Sequence, residues 1–178
     1  MVGTAITVKA PLGDNLMFHK ALDIAQKGDI VVVDGEGCME HSLTGEVMMT
    51  YAMSKGIKGF IIDGCIRDVE AVEMLNFGVF ARGVQPKGPY KNGPGEINVP
   101  ISIGGQVVMP GDILCCDMDG IVVIKPDDAP YLLEKAIKHK QMEQELFEQI
   151  AEGTLNKTWV DNELLRKGCE IIDDFAIV

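Results

Sequence analysis

Two short aliphatic runs, Ile30-Val31-Val32-Val33 and Phe60-Ile61-Ile62, constrain this chain more than anything else in it. Each is entered just after a glycine and left through a turn that opens a helical pattern. Neither alternates apolar with polar residues, so a strand built from either must be covered on both faces. Strands of that kind sit in parallel sheets between other layers, which places the N-terminal half in the α/β class. The segment Gly3–Val8 reads as a first strand. Asp14-Asn15 offers an N-cap for a helix reaching Lys27, with Phe18, Ala21, Leu22 and Ala25 on one face; a place at the edge of a site is the equal alternative for these two residues. Asp29–Asp34 is the next strand, and Gly35-Glu36-Gly37 reads as the turn that ends it. A second helix starts at Thr44-Gly45-Glu46 and runs to about Lys55, followed by a strand over Gly59–Gly64. A third helix runs from Asp68 to about Asn76.

After Val79-Phe80-Ala81-Arg82 the character changes. Residues 84–96 interleave Pro86, Pro89 and Pro94 with Gly88, Gly93 and Gly95, the composition of a long loop. Ile97–Ile103, Gln106–Met109, Asp112–Cys116 and Gly120–Ile124 then read as short strands split by Gly-Gly, Pro-Gly and Asp-Gly turns. That spacing predicts antiparallel hairpins packed as a second layer or partial barrel. Asp127-Asp128-Ala129-Pro130 is a helix start, and the helix continues to about Glu152. From Trp159 to Val178 the sequence predicts a short helix and an apolar end.

Length favours one domain over residues 1–178, with 127–178 as a helical C-terminal extension packing on it or on a neighbouring subunit. The net charge of −11 and the lack of a Lys/Arg run argue against nucleic acid as a partner. An acidic surface still leaves room for a local basic pocket. No apolar run approaches the ~20 residues that cross a bilayer, and no secretory signal is evident, so the expected location is cytoplasmic and away from membranes. The five cysteines are odd in number and lack a CxxC pair, which predicts buried or half-buried thiols, with Cys115 and Cys116 facing opposite sides of a strand.

The residues with chemical potential cluster at two helix starts. Glu46 opens one helix, and Arg67-Asp68 open another directly after a strand, where α/β folds place ligands. Arg67 can fork onto a carboxylate or an enolate oxygen. Asp68 and Glu46 are hard oxygen ligands suited to Mg²⁺ or Mn²⁺, directly or through water. The backbone N–H groups of Val47 and Met48 can receive a substrate carboxylate. On residue types alone, the commoner reading is a surface ion pair, a helix cap and a routine first-turn acid. Gly35-x-Gly37 lacks the spacing of a dinucleotide site, which also counts against a methyltransferase. His19, His41 and His139 are too scattered to ligate a metal, with His41 nearest the candidate site. Arg82 reads as a structural ion-pair partner. Lys87 and Lys91 lie on the loop that could cover the site or bind an anion.

Gly45-Glu46, twenty intervening residues and Arg67-Asp68 resemble the acid-x20-Arg-Asp signature of the RraA-like aldolases. Further segments are similar in the same order. They include Val2–Val8, Gly13-Asp14-Asn15, Gly28–Gly35, Ile62–Asp68, Val79–Gly83, Gly95–Pro100, Val108–Asp112 and Asp117–Val123. The resemblance implies a layered α/β/β sandwich (a swivelling β/β/α-type domain) with a C-terminal helix, assembled as a homotrimer or homohexamer. It also implies a divalent-metal aldolase that cleaves 4-hydroxy-2-oxo acids, such as 4-hydroxy-4-methyl-2-oxoglutarate, to pyruvate. Oxaloacetate decarboxylation would share the site. In that scheme Asp68, with Glu46, holds Mg or Mn, and Arg67 stabilises the enolate. Glu143 would reach the metal site of a neighbouring subunit. Some of these aldolases carry an acid three residues after the aspartate, where this chain has Ala71 with Glu70 beside it. The alternative is a non-catalytic regulator that, like the family's namesake, binds a ribonuclease or other protein partner.

Overall fold

The computed structural model describes residues 1–170. The chain divides into two compact units, Met1–Ala129 and Pro130–Val178. The first opens with strand β1 (Val2–Lys9), helix α1 (Leu16–Ile24), β2 (Asp29–Thr44), α2 (Glu46–Ser54), β3 (Gly59–Ile66), α3 (Val69–Met74) and β4 (Gly78–Val84). It continues with β5 (Glu96–Ile97), β6 (Ile101–Ile103), β7 (Gln106–Val108), β8 (Ile113–Cys116) and β9 (Ile121–Ile124).

β1 to β4 pair in parallel in the order β4-β3-β2-β1, so three successive crossovers step in one direction. Right-handed crossovers then put α1, α2 and α3 on the same face of the sheet. The two aliphatic runs divide as a strand requires. Val31, Val33, Phe60 and Ile62 pack under the helices with Phe18, Leu22, Met49 and Ala52. Ile30, Val32 and Ile61 point the other way, onto Ile101 and Val108 of the β6–β7 hairpin. The result is the α/β/β layering: helices, central sheet, hairpin. Phe60 anchors the helical layer, meeting Phe18 edge-on at 4.9 Å and Phe77 at 4.8 Å. Each such fully buried side chain contributes roughly 1.5–3 kcal/mol of transfer free energy.

Four local expectations change. β8 and β9 do not join the second layer; β8 pairs antiparallel with Val2–Thr4 of β1 and extends the main sheet, while β5 pairs with Val8 and Lys9 on the same edge. Ile97–Ile103 is not one strand, because Asn98 adopts a left-handed conformation (φ 56°) and Pro100 donates no ladder hydrogen bond. Gly35-Glu36-Gly37 does not reverse the chain. Glu36 and Gly37 take positive φ as a bulge, and β2 resumes, so that Val33–Thr44 runs beside only Ile62–Ile66 of β3. The excess length is taken up by register shifts between Val33 and Thr44, with Cys38, Ser42 and Thr44 pairing again with Gly64, Cys65 and Ile66. The helices also end earlier than periodicity suggests, α1 at Ile24 and α3 at Met74.

The second unit contains α4 (Ala129–Glu152), entered through a 3-10 turn at Pro126–Asp128, and α5 (Thr158–Arg166). The apolar end predicted for the chain lies outside the described residues. Among those described, Cys38, Cys65 and Cys116 are buried and Cys115 half-buried, whereas Cys169 is exposed, against expectation. No described helix is long and apolar enough to cross a membrane.

Candidate functional site

The carboxyl ends of β1, β2, β3 and β4 converge on one cleft of about 230 Å³. Its lining comes from every one of those strand ends: Asn15 and His19 after β1, Thr44 to Met48 after β2, Arg67 after β3, and Pro89 and Lys91 after β4. That is where parallel sheets leave the first turns of their helices open to a ligand. The volume suits a small metabolite. Although the chain is acidic overall, the lining carries Arg67 and Lys91 and no acidic residue.

The two helix starts singled out in the sequence are brought together. Arg67 N–H donates to the carbonyl of Thr44 at 3.0 Å, tying the end of β3 to the end of β2. Asp68 adopts a left-handed conformation (φ 59°, ψ 40°), which turns its carboxylate back onto the neighbouring helix start. Its Oδ2 accepts the Glu46 N–H at 3.0 Å and lies 3.6 Å from Arg67 Nε. Asp68 therefore caps α2 from outside, across 22 positions of sequence. Gly45 lets Asp68 and Arg67 approach this junction, since a Cβ there would collide with the Asp68 carboxylate and come within 2.8 Å of Arg67 Cγ, so that one of these side chains would have to shift. The next N–H groups of α2, on Val47 and Met48, find no acceptor among the described residues. Both residues line the cleft.

Asp68 and Glu46 are the carboxylates adjacent to this cleft, and both are exposed. No group of three or more His, Cys, Asp or Glu side chains converges among the described residues. One or two carboxylates with retained waters is nevertheless the ordinary protein share of a Mg²⁺ site, so the donor set fits that ion. Glu143 lies on α4 in the second unit, 3.4 Å from His139.

The far wall of the cleft holds Asn15, for which the sequence left capping and the site edge as equal alternatives, and His19, which the sequence placed on the surface. Asn15 does not cap α1 with its side chain; it is 2% exposed, and its Nδ2 donates to the carbonyl of Leu43 at 2.8 Å. The capping falls to Asp14, whose Oδ1 accepts the Leu16 N–H at 2.8 Å. His19, one turn beyond Asn15, faces the cleft. Partial desolvation and the charge of Lys91 hold its pKa below the ordinary histidine value, with Asp23 opposing. The i, i+4 spacing of Asn15 and His19 on a helix start was the available signal. His41 is buried and structural: its Nδ1 meets the Gly88 carbonyl at 2.6 Å, and its ring packs on Tyr90 at 4.4 Å. Arg82 forms an ion pair with Asp63, the structural role expected of it.

A cleft at the ends of parallel strands, an arginine beside a helix N-terminus and an α/β/β sandwich define a class before any relative is considered. Residues 1–123 match the RraA-like family described as aldolase/RraA, and the chain belongs to that family. A Halalkalibacterium halodurans protein provisionally named as a 4-hydroxy-4-methyl-2-oxoglutarate aldolase is 42% identical over 84% of this chain and 70% of its own length. Among solved structures, an unusual member of the RNase ES inhibitor RraA family from Streptomyces coelicolor is similar. It has a TM-score of 0.72 and 29% identity, covering 81% of this chain and 74% of that one. A Geobacillus kaustophilus structure named as an S-adenosylmethionine:2-dimethylmenaquinone methyltransferase gives a TM-score of 0.68 and 35% identity over 70% and 76%. One fold thus carries three kinds of name, and only the site can choose among them.

Proposed function

We propose that this protein is a divalent-metal-dependent lyase that cleaves 4-hydroxy-2-oxo acids, such as 4-hydroxy-4-methyl-2-oxoglutarate, to pyruvate, and decarboxylates oxaloacetate at the same site. The observation that carries the reading is Arg67 standing beside the open N-terminus of α2 in a small cationic cleft. In this reading the N–H groups of Val47 and Met48 hold the substrate's carboxylate, where the helix dipole favours negative charge. Arg67 faces the 2-oxo oxygen. As a base takes the 4-hydroxyl proton, C4–O becomes a carbonyl and the C3–C4 bond breaks; its electron pair enters the pyruvate enolate, which is then protonated at C3 to give pyruvate. Arg67 stabilises the oxygen on which that charge collects. With oxaloacetate the leaving fragment is CO₂ and the enolate is the same. Asp68 and Glu46 would hold Mg²⁺ or Mn²⁺, which when bound supplies Lewis acidity to a 2-oxo group. By resemblance to its family, the proposal extends to a homotrimer or homohexamer, readable by analytical ultracentrifugation.

A regulator that binds a protein partner is favoured by one specific observation: Ala71 stands where some aldolases carry a further acid. The deciding experiment follows oxaloacetate with Mg²⁺ or Mn²⁺, with and without EDTA, beside Arg67→Ala. Metal-dependent turnover that disappears in the variant supports the lyase. Turnover no faster than metal alone, together with low-salt capture of a ribonuclease, favours the regulator.

A further inference from the structure

Asp14 does more than cap a helix. It is 3% exposed, and its carboxylate takes backbone N–H groups from two separate segments. Oδ1 accepts from Leu16 at 2.8 Å; Oδ2 accepts from Gly93 at 3.0 Å and from Asn92. A cap would explain the first bond alone. Two backbone bonds run alongside, Tyr90 N–H to the Gly13 carbonyl at 2.9 Å and Asn15 N–H to the Tyr90 carbonyl at 3.1 Å. At the other end of the same loop, Ser42 donates its N–H to the Lys87 carbonyl at 2.9 Å, and His41 holds Gly88. Residues 88–93 form almost no regular structure of their own, so these straps define their path. That path matters to the cleft. Pro89 and Lys91 line it, and Gly88 passes so close to Arg67 that a Cβ would stand 3.0 Å from Nη1. Lys91 forms no salt bridge among the described residues, which leaves its ammonium available to a ligand.

We infer that Asp14 is a positioning residue: its carboxylate fixes the 88–93 loop across the cleft and thereby sets where Lys91 meets an anionic ligand. The inference rests on the lyase reading for the identity of that ligand, a small 2-oxo carboxylate. A buried carboxylate that gathers three N–H donors is costly unless all are retained, which makes it a rigid fixing point rather than a surface tether.

The test combines Asp14→Asn, Lys91→Met and the double variant, read in two ways. Amide exchange over residues 88–93, measured by mass spectrometry, needs no ligand. Binding of oxalate, a planar dianion shaped like pyruvate enolate, is measured by calorimetry with Mg²⁺. Asp14→Asn is expected to speed exchange in the loop about tenfold, with the central sheet unchanged, as loss of roughly one charge-assisted hydrogen bond implies. Lys91→Met is expected to weaken oxalate about tenfold, and the double variant to bind no more weakly than Lys91→Met alone. Unchanged loop exchange in Asp14→Asn overturns the strap. Oxalate losses that add in full overturn the claim that Asp14 acts through Lys91. If Asp14→Asn fails to fold, Lys91→Met still decides, since unchanged oxalate binding there overturns the proposal. A wild-type protein that takes up no oxalate overturns the lyase reading and the ligand role of Lys91 together, while the exchange comparison judges the strap separately.

Discussion

The two walls of the cleft are built by different means. One wall, at Gly45–Met48 and Arg67-Asp68, is assembled where two adjacent parallel strands end and two helices begin. Its central contact, Glu46 N–H to Asp68, joins residues whose strands already lie side by side. The other wall is a loop far along the chain, held by side chains, Asp14 to Asn92 and Gly93 and His41 to Gly88, and by isolated backbone bonds at Lys87 and Tyr90. The first wall inherits its geometry from the sheet. The second has no such scaffold, so its precision depends on a few buried polar groups. In the lyase reading the chemistry falls to the wall built on the sheet, and the wall held by the loop carries residues that would select and hold a ligand.

The sharpest way to break that comparison is Arg67→Ala. Loss of the side chain to which the lyase reading assigns the enolate is expected to lower kcat/KM for oxaloacetate by about 10²–10³-fold with an unchanged circular-dichroism spectrum. Turnover retained within a few-fold would take the chemistry off this wall. Next comes Gly45→Ala, a methyl group driven into the Asp68 carboxylate. A displacement of that kind is expected to cost about 10²-fold in kcat/KM and roughly 1–3 kcal/mol in urea unfolding.

Asp14 gives a smaller effect with a pH signature. Burial raises its carboxyl, but the N–H donors of Leu16, Gly93 and Asn92 and the charge of Lys91 outweigh that, and its pKa lies below the ordinary aspartate value. A lowered folded-state pKa means that ionised Asp14 stabilises the fold above about pH 4, where an unfolded aspartate titrates. That contribution is lost as pH falls through the folded value. The stability gap between wild type and Asp14→Asn is therefore expected to be about 1.5–3 kcal/mol at neutral pH and to narrow toward pH ~3. A gap that stayed constant across that range would show that the charge is not what holds the strap. Ser42→Ala should matter least. Its hydroxyl donates to the Lys87 carbonyl at 3.1 Å, but the backbone N–H of the same residue already satisfies that oxygen. A loss of about 0.5–1 kcal/mol or less is expected in urea unfolding.

Much of the wall built on the sheet was legible in the sequence because its causes are local. Aliphatic runs without alternation demand coverage on both faces, and Gly45-Glu46 and Arg67-Asp68 mark helix starts directly after strands. From that alone follow alternating strands and helices, strands covered on both faces and candidate ligand groups at the strand ends. The second wall was half legible. Asp14 and Asn15 stood out as capping or site-edge residues, and Lys91 as a loop cation, but nothing linked residue 14 to residues 92 and 93. Glu36 shows the same limit: a Gly-x-Gly that looks like a chain reversal became a bulge, because β3 was present to pair with the resumed strand.

The sequence by itself therefore determined the alternation of strands and helices in the N-terminal half and which of its strands are buried on both faces, and it pointed to the two helix starts that line the cleft. Periodicity, glycine and caps act over a few residues and can be read there. Only the tertiary structure decided that β8 pairs with β1, that Asp68 caps a helix it does not belong to, and that Asp14 carries the loop beside Arg67. Each is a pairing between groups far apart in the chain. Its partner is chosen by what the packed sheet leaves unsatisfied, and no short stretch of sequence records that.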